Sequence, residues 1–355
     1  MKETAKRAAV ATLVVIALVV AALALWKLKV VLALVFLGII IAAAMRPGID
    51  WLRRHRVPRG IGLLVHYVAV FGLIALLLWL AVPRALSQVE SALGTHGLPT
   101  KASDLKHAAS HSHGIKHTIL VAIQKRLEHL PRASKLFHSG VSFGLKAFEI
   151  LIAIFFTFAT AAYWIFERDR TVDFVALLLP RPKRKVVRDT WTLIDLKLGA
   201  FVRGEALLIL LVGTVLSLLF MAVGEPYWIL IGAFGGLLEI VPVIGPIAAG
   251  ALAIAVGFTE SWHIALYAGL CVLGVRLAED YLIVPRVLGD AVGLSPLLVL
   301  VSVTSVGILF GGFAVVLAVP LAAIVVTLLD VIVRNRDPAD EDVPTVLFPA
   351  KEAEN

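Results

Sequence analysis

An apolar run from about residue 226 to 258 constrains this chain most, because it is too long to cross a membrane as one helix. At about 1.5 Å per residue it would extend roughly 50 Å, whereas the hydrocarbon core of a bilayer is about 30 Å thick. Its middle holds Pro242, Gly245 and Pro246, residue types that break helices. Glu239 lies just before them. The run therefore predicts a broken helix with a carboxylate at membrane depth, where unpaired backbone must line protein or a wet cavity.

Composition places the whole chain in the membrane. The sequence is 60% hydrophobic and 16% charged, and its mean hydropathy is +0.94, whereas soluble domains are about half apolar and a quarter charged. The net charge of +8 comes from basic residues at the ends of apolar runs, a pattern typical of orientation in a membrane rather than of nucleic-acid binding. The predicted class is an all-α, polytopic integral membrane protein with broken or re-entrant segments in its C-terminal half.

Apolar runs and charged loops predict the organisation of the chain. Arginine-rich stretches at 46–59 and 167–190 predict cytoplasmic loops, the second able to touch anionic lipid, with both termini on the cytoplasmic side. The expected parts are N-terminal transmembrane helices at 1–82, an extracytoplasmic His-rich helical loop at 83–142, a fourth span with a basic loop at 143–190, a transport core of broken helices at 191–333 and a disordered tail at 334–355.

The loop at 83–142 holds most of the histidines. His107 and His111, like His113 and His117, are four residues apart and would face one way on a helix, a spacing that could share a metal such as zinc. No cysteine or tight carboxylate completes such a site, so the prediction is a solvated helix without a bound metal.

A later apolar run, at about 261–284, contains three charged residues at helical spacing. Arg276 is three residues before Glu279 and four before Asp280, so all three side chains share one helical face. Charges within membrane segments usually face a bundle interior or an aqueous path. An ion-pair cluster at the interface, at the end of the helix, is the alternative interpretation.

Four ordered motifs resemble the autoinducer-2 exporter family of bacterial membrane proteins. They are EIVPVIGP at 239–246, EDYLIVPRVLG at 279–289, GLSP at 293–296 and LAVPL at 317–321, with Arg203-Gly204 upstream. The resemblance implies about eight transmembrane helices, secondary transport, an inner-membrane location and a homo-oligomer. Members are associated with export of the signalling furanone autoinducer-2, and some with sodium–proton antiport. Glu205 stands where the family commonly has Gln, and Ser295 where many members have His, so the substrate does not transfer directly.

The leading functional hypothesis is therefore a secondary transporter, not an enzyme, that exports a small polar solute in exchange for protons or sodium. No P-loop indicates direct use of ATP, and no cofactor is expected. In this hypothesis the carboxylates bind the coupling ion, the arginines neutralise them or orient the solute, and the prolines and glycine expose backbone groups and form a hinge. The expected transport and coupling residues are Arg203, Glu205, Glu239, Pro242, Gly245, Pro246, Arg276, Glu279 and Asp280, and the expected loop-motif residues are Pro285, Arg286, Gly289, Ser295 and Pro296.

Two other functions fit the same residues. One is a sodium–proton antiporter with no organic substrate. The other is a membrane scaffold that does not transport and whose outer loop binds a partner, in which case the charges at membrane depth would be structural ion pairs.

Overall fold

The structure is a computed structural model that describes residues 2–93, 133–242, 244–287, 293–341 and 343, and the regular elements in these ranges are helical. The outer loop's central histidines, Gly289 and most of the predicted tail lie outside the described residues. The helices are α1 (Lys2–Lys27), α2 (Lys29–Arg54), α3 (Arg59–Leu93), α4 (Ala133–Leu177), α5 (Arg184–Val223), α6 (Trp228–Leu238), α7 (Ile244–Gly257), α8 (Trp262–Ala278), α9 (Val284–Val287), α10 (Pro296–Phe310) and α11 (Ala318–Ile332), with 3-10 turns at Arg181–Lys183 and Gly312–Leu317 and a π-helical turn at Glu279–Ile283.

Helices long and apolar enough to cross a membrane account for most of the chain. By length and composition, 6 of the described helices qualify: α1, α2, α3, α4, α5 with its preceding turn, and α11 with its preceding turn. Many of their large apolar side chains are exposed, as expected for surfaces that face lipid rather than water. The predicted all-α, polytopic membrane class is confirmed.

Helix α2 connects the N-terminal helices to the rest of the bundle. It runs parallel to α4, because a methyl group on Gly38 would meet Thr157, while Arg46, two turns further along α2, lies 3.6 Å from Asp169, about three turns further along α4. It runs antiparallel to α5, because Gly199 lies against the Ala43 carbonyl whereas Arg46 lies 3.7 Å from Asp195, earlier in α5. The ends of these helices define two faces. The basic face carries residues 53–59 and 181–188, and the opposite face carries the turns at 26–29 and 224–227.

The broken apolar run folds back on itself as a hairpin of α6 and α7. Gly245 of α7 packs against the Leu238 carbonyl at the end of α6, and a methyl group on Gly235 would lie 3.6 Å from the Ala249 methyl group. At the other end of the hairpin, a methyl group on Gly257 would lie 3.0 Å from a Glu225 carboxylate oxygen. Going from one pair to the next, each step forward along α7 is matched by a nearly equal step backward along α6 and the turn before it, as in two antiparallel helices. The hairpin therefore enters from the opposite face and returns to it.

The length of the two helices explains why neither half crosses. Helix α6 has 11 residues and α7 has 14, or about 16 and 21 Å, which is less than the roughly 30 Å hydrocarbon core. The break predicted around Pro242 and Gly245 is therefore the tip of a re-entrant hairpin, which begins at about residues 239–242.

The hairpin lies between α5 and α8. Glycines make these contacts close: a methyl group on Gly236 would approach the Gly213 Cα of α5 to 2.6 Å, and one on Gly250 would lie 3.3 Å from Val272 of α8. A buried apolar cluster joins all four helices, with Val212, Leu216 and Phe220 from α5, Ile231 from α6, Ala253 from α7, and Ala268 and Val275 from α8.

The last two long helices form another antiparallel pair. Helix α10 ends at Gly311, whose φ of 90° lies in the region that favours glycine, and α11 then runs back beside it. The Phe310 ring lies 6.1 Å from the Trp26 ring at the end of α1. The α10–α11 turn is therefore on the opposite face, and α11 ends towards the basic face.

Candidate functional site

The tip of the hairpin meets the end of α8 in a cluster of charged side chains centred on Arg276. Its Nη1 lies 3.1 Å from Glu279 Oε2 and 3.8 Å from Glu239 Oε2, and its Nη2 lies 3.0 Å from Asp280 Oδ1. Glu239 and Glu279 are 8% and 4% exposed, respectively. The structure thus brings together the carboxylate of the broken run and the three charges that the sequence placed on one helical face.

Local backbone geometry positions both buried carboxylates. Glu239 is the residue at which α6 ends, so its side chain projects from the hairpin tip. Glu279 begins the π-helical turn that follows α8, and π-helical turns frequently occur at functional sites. Glu279 lies 17 residues beyond the start of α8, or about 25 Å from the opposite face. Helix α6 reaches Glu239 over about 16 Å, so the cluster lies inside the bundle, about 16–25 Å from the opposite face as measured along the helices.

Glu205 of α5 adds a fourth carboxylate to this cluster. Its side chain is half-buried and interacts electrostatically with Glu239 and Glu279. The four carboxylates, Glu205, Glu239, Glu279 and Asp280, face a single arginine with which three of them form ion pairs in the described part of the chain. When all are ionised the cluster carries excess negative charge, which can be balanced by protons or by a bound cation.

Arg203 is buried, at 8% exposure, and forms a hydrogen bond to α2. Its Nη1 donates a hydrogen bond to the Ala44 carbonyl of α2, at 3.1 Å. Residues two apart on a helix do not share a face, which is why Glu205 reaches the cluster while Arg203 reaches α2. Whether Arg203 also serves transport stays a prediction.

The backbone at the hairpin tip is largely hydrogen-bonded within itself. Gly245 donates to the Val241 carbonyl at 2.9 Å, and Ile244 donates to the Pro242 carbonyl at 2.8 Å. Gly245 also has no room for a side chain beside the Leu238 carbonyl. These N–H groups donate within the tip, and carbonyl oxygens are the backbone groups that it can offer to a cation, because hard cations bind oxygen.

The loop motif takes up mainly structural positions where it is described. Ser295 accepts a hydrogen bond from the Leu298 amide at 3.3 Å, and so caps the start of α10. Pro296 occupies the first position of α10, where proline costs no helical hydrogen bond. Pro285 is exposed in α9. The side chain of Arg286, like Gly289, lies outside the described residues.

A second set of buried charges, closer to the basic face, was not predicted. Asp195 accepts a hydrogen bond from Arg168 at 2.7 Å and lies 3.7 Å from Arg46. Lys197 lies 2.5 Å from Glu341 and 3.3 Å from the Thr327 hydroxyl. Asp195 and Lys197 are buried because α2, α4 and α11 pack over them. The only signal in the sequence was the presence of charges between apolar residues at 191–201.

The described residues do not form a metal site of the usual kind. No group of three or more His, Cys, Asp and Glu side chains in the described ranges has the arrangement of a metal site. The paired histidines at 107–117 lie outside these ranges, so their role stays a prediction.

Comparisons with known proteins agree on a family. The model of the AI-2E family transporter matches residues 13–334.

Three curated relatives carry the name "Putative transport protein". YrrI of Bacillus subtilis (strain 168) is 24% identical over 87% of this chain and 88% of its own. YueF of the same strain is 25% identical over 76% of each chain. MT0215 of Mycobacterium tuberculosis (strain CDC 1551 / Oshkosh) is 25% identical over 88% of this chain and 86% of its own. Because the family model covers most of its length, the chain belongs to the AI-2E family of membrane transporters.

Proposed function

We propose that this transporter exports a small polar solute, similar to autoinducer-2, in exchange for protons or sodium ions. In this proposal it lies in the inner membrane of a bacterium as a homo-oligomer. The basic face is cytoplasmic, because arginine and lysine accumulate in the cytoplasmic loops of membrane proteins. Both termini then lie in the cytoplasm, and the hairpin of α6 and α7 enters from the outside.

The observation that carries ion coupling is the excess of carboxylates over arginine at the hairpin tip. Glu239 and Glu279 are both buried and both lie within 4 Å of one guanidinium nitrogen. A proton or a sodium ion that binds between them would release Arg276 from one partner. Occupancy of the site would then change the contacts between the hairpin and α8, which is what coupling to movement requires.

The position of the site supports alternating access. The hairpin closes the path from the opposite face, while Asp280, with a side chain that is 45% exposed, marks the edge of the cluster towards the basic face. In secondary transporters such sites lie near the membrane midplane, beside helices that do not cross completely. A polyhydroxylated solute could hydrogen-bond to the same carboxylates and to Arg276.

The test is ion flux in proteoliposomes that contain the purified full-length protein. A pH-sensitive dye reports proton movement under an imposed sodium gradient, first without and then with added small polyols. The variants are Glu239→Gln and, as a matched control, Glu260→Gln, because Glu260 is exposed in the turn at the opposite face. We expect flux in the wild type and in Glu260→Gln, and its loss in Glu239→Gln.

The outcomes separate the alternatives. Flux that requires a polyol supports export of a solute. Flux with sodium alone identifies an antiporter without an organic substrate. Undiminished flux in correctly inserted Glu239→Gln protein contradicts the coupling role of the hairpin tip, and no flux under any condition favours the scaffold.

A further inference from the structure

A groove between α5 and α11 lies apart from the charged cluster. It encloses a cavity of about 670 Å³, with further walls from α2 and from the end of α4. On the α5 side, its lining residues recur every three or four positions from Lys183 to Leu198, so they form one helical stripe. The stripe extends over about 22 Å. The groove therefore follows α5 from the basic face into the hydrocarbon region.

The inner wall of the groove is apolar. Its two polar side chains along α5 are already satisfied: the Thr190 hydroxyl donates to the Val186 carbonyl at 2.7 Å, and Asp195 accepts from Arg168 at 2.7 Å. The α11 wall contributes Ile324, Leu328 and Val331. Apart from the Trp191 ring, the other α5 and α11 side chains of this wall are aliphatic, so a hydrocarbon chain fits it best.

The groove is open to the surrounding bilayer. Leu328 and Ile332 line it and yet remain 37% and 70% exposed. The Trp191 ring, also in the wall, stacks on the Trp164 ring at 5.9 Å, and tryptophan is enriched where the hydrocarbon meets the headgroups. A lipid can therefore enter from the side, with its headgroup near the basic face.

The mouth of the groove is positively charged. Lys183 lines it, and Arg181 and Lys185 are its near neighbours in the sequence. Other basic residues of this segment have partners within the protein: Arg184 donates to the Leu179 carbonyl and Arg188 to Asp173. No ion pair is found for Lys183, Arg181 or Lys185 within the described ranges. Of these three side chains only that of Lys183 lines the groove, so Lys183 is the one available to an anionic headgroup bound there.

We infer that the groove between α5 and α11 binds an anionic phospholipid, with one acyl chain between the two helices and the headgroup at Lys183. The charge at the mouth selects the headgroup, and the apolar wall holds the chain. Its volume lies in the usual range for small-molecule sites, about 300–1,000 Å³. The inference does not depend on the proposed transport function, because lipid retention is measured without transport.

The experiment is native mass spectrometry of the full-length protein released from detergent, after addition of dioleoyl phosphatidylglycerol or dioleoyl phosphatidylcholine. Lys183→Gln removes the charge at the mouth, and Lys185→Gln removes a neighbouring charge that does not line the groove. Leu328→Trp fills the groove. Leu329→Trp places the same ring on the adjacent residue, which is 50% exposed and lies outside the lining.

We expect the wild type to retain phosphatidylglycerol in preference to phosphatidylcholine. Retention of phosphatidylglycerol should fall about fivefold in Lys183→Gln, the effect of one basic residue near a membrane surface, and should stay unchanged in Lys185→Gln. Leu328→Trp should lose both lipids, whereas Leu329→Trp should lose neither.

Three results would overturn the inference. The first is equal retention of the two lipids by the wild type. The second is an unchanged phosphatidylglycerol count in both Lys183→Gln and Leu328→Trp. The third is dissociation of an oligomer by Leu328→Trp without a change in bound lipid, which would identify the groove as a contact between copies of the chain.

Discussion

Arg276 holds together side chains from two separate parts of the chain. It bridges Glu239 at the hairpin tip with Glu279 and Asp280 beyond α8, so its removal leaves buried carboxylates that repel one another. Removal of one partner from a fully buried ion pair costs about 3–5 kcal/mol. We expect Arg276→Met to lower the free energy of unfolding by less than this, because the Arg276 side chain is 34% exposed. Thermal unfolding in detergent measures the loss.

A double variant distinguishes this electrostatic cause from lost packing. Glu239→Gln in the Arg276→Met background removes one of the repelling charges and should restore part of the stability, a coupling that a double-mutant cycle quantifies. Arg334→Met is the control, because its pair with Asp330 involves an arginine that is 64% exposed, and such pairs contribute about 0–1 kcal/mol. Additive effects of the two cluster substitutions would contradict the proposed repulsion.

Glu225 makes the stability of the protein depend on pH. It lies in the turn between α5 and α6, is 2% exposed, and its two carboxylate oxygens accept no hydrogen bond from the residues that the structure describes. Burial raises the pKa of this carboxyl group from 4.5 to about 7. The Cys271 thiol of α8 interacts with it electrostatically.

The sign of this effect follows from proton binding. Between about pH 4.5 and 7 the folded protein holds a proton on Glu225 that the unfolded chain has released, so stability falls as pH rises through this window. The loss is about 3 kcal/mol at most. Unfolding temperatures at pH 5 and pH 8 should differ less in Glu225→Gln than in the wild type or in exposed Glu260→Gln. Equal differences in all three proteins would refute the assignment.

At the scale of helices, the sequence predicted where the apolar run breaks but not the direction that it takes afterwards. Pro242 removes a helical hydrogen bond and Gly245 weakens a helix, so the sequence favours a break at this point. Whether the second half of the run continues across the membrane or turns back depends on the helices that pack beside it, because the hydropathy of the sequence is the same in both cases. The return of α7 is set by contacts such as that of Gly236 with Gly213, between residues that are distant in the sequence.

The same limit applies to individual charges. The spacing of Arg276, Glu279 and Asp280 predicted a common face correctly, because helical periodicity fixes it. The burial of Asp195 and Lys197, at 7% and 4% exposure, depends instead on helices that lie elsewhere in the chain. The approach of Glu205 to the cluster likewise needed the fold.

Close packing of the hairpin on α5 should keep Glu239 in register with Arg276. A methyl group on Gly236 would lie 2.6 Å from both the Gly213 Cα and the Ile209 carbonyl oxygen, so Gly236→Ala must displace α6 three residues before Glu239. We expect a loss of about 1–3 kcal/mol of stability and reduced flux in proteoliposomes. Gly274→Ala is the control, since a methyl group there meets nothing within 4 Å. Equal stability of the two variants would contradict this packing.

At the scale of the whole molecule, composition was sufficient for the class, because the apolar surface needed to face lipid is visible in the sequence. The four motifs were sufficient for the family, since the matching family model covers residues 13–334. The number of crossings was harder to predict, because α6 and α7 together contain enough apolar residues for a span and yet do not make one.

The hairpin therefore fixes which loops share a side of the membrane. Because α7 returns to the face that it came from, the turn at 258–261 should lie with the α1–α2 turn and away from the α4–α5 loop. We would place single cysteines at exposed Leu28, Glu260 and Arg181 in a Cys271→Ser background, and label them with an impermeant maleimide in intact cells and in inverted vesicles. Leu28→Cys and Glu260→Cys should react in the same preparation, and Arg181→Cys in the other. If Glu260→Cys reacted together with Arg181→Cys, the run at 226–258 would cross the membrane, and the charged tip could not close a path from the opposite face.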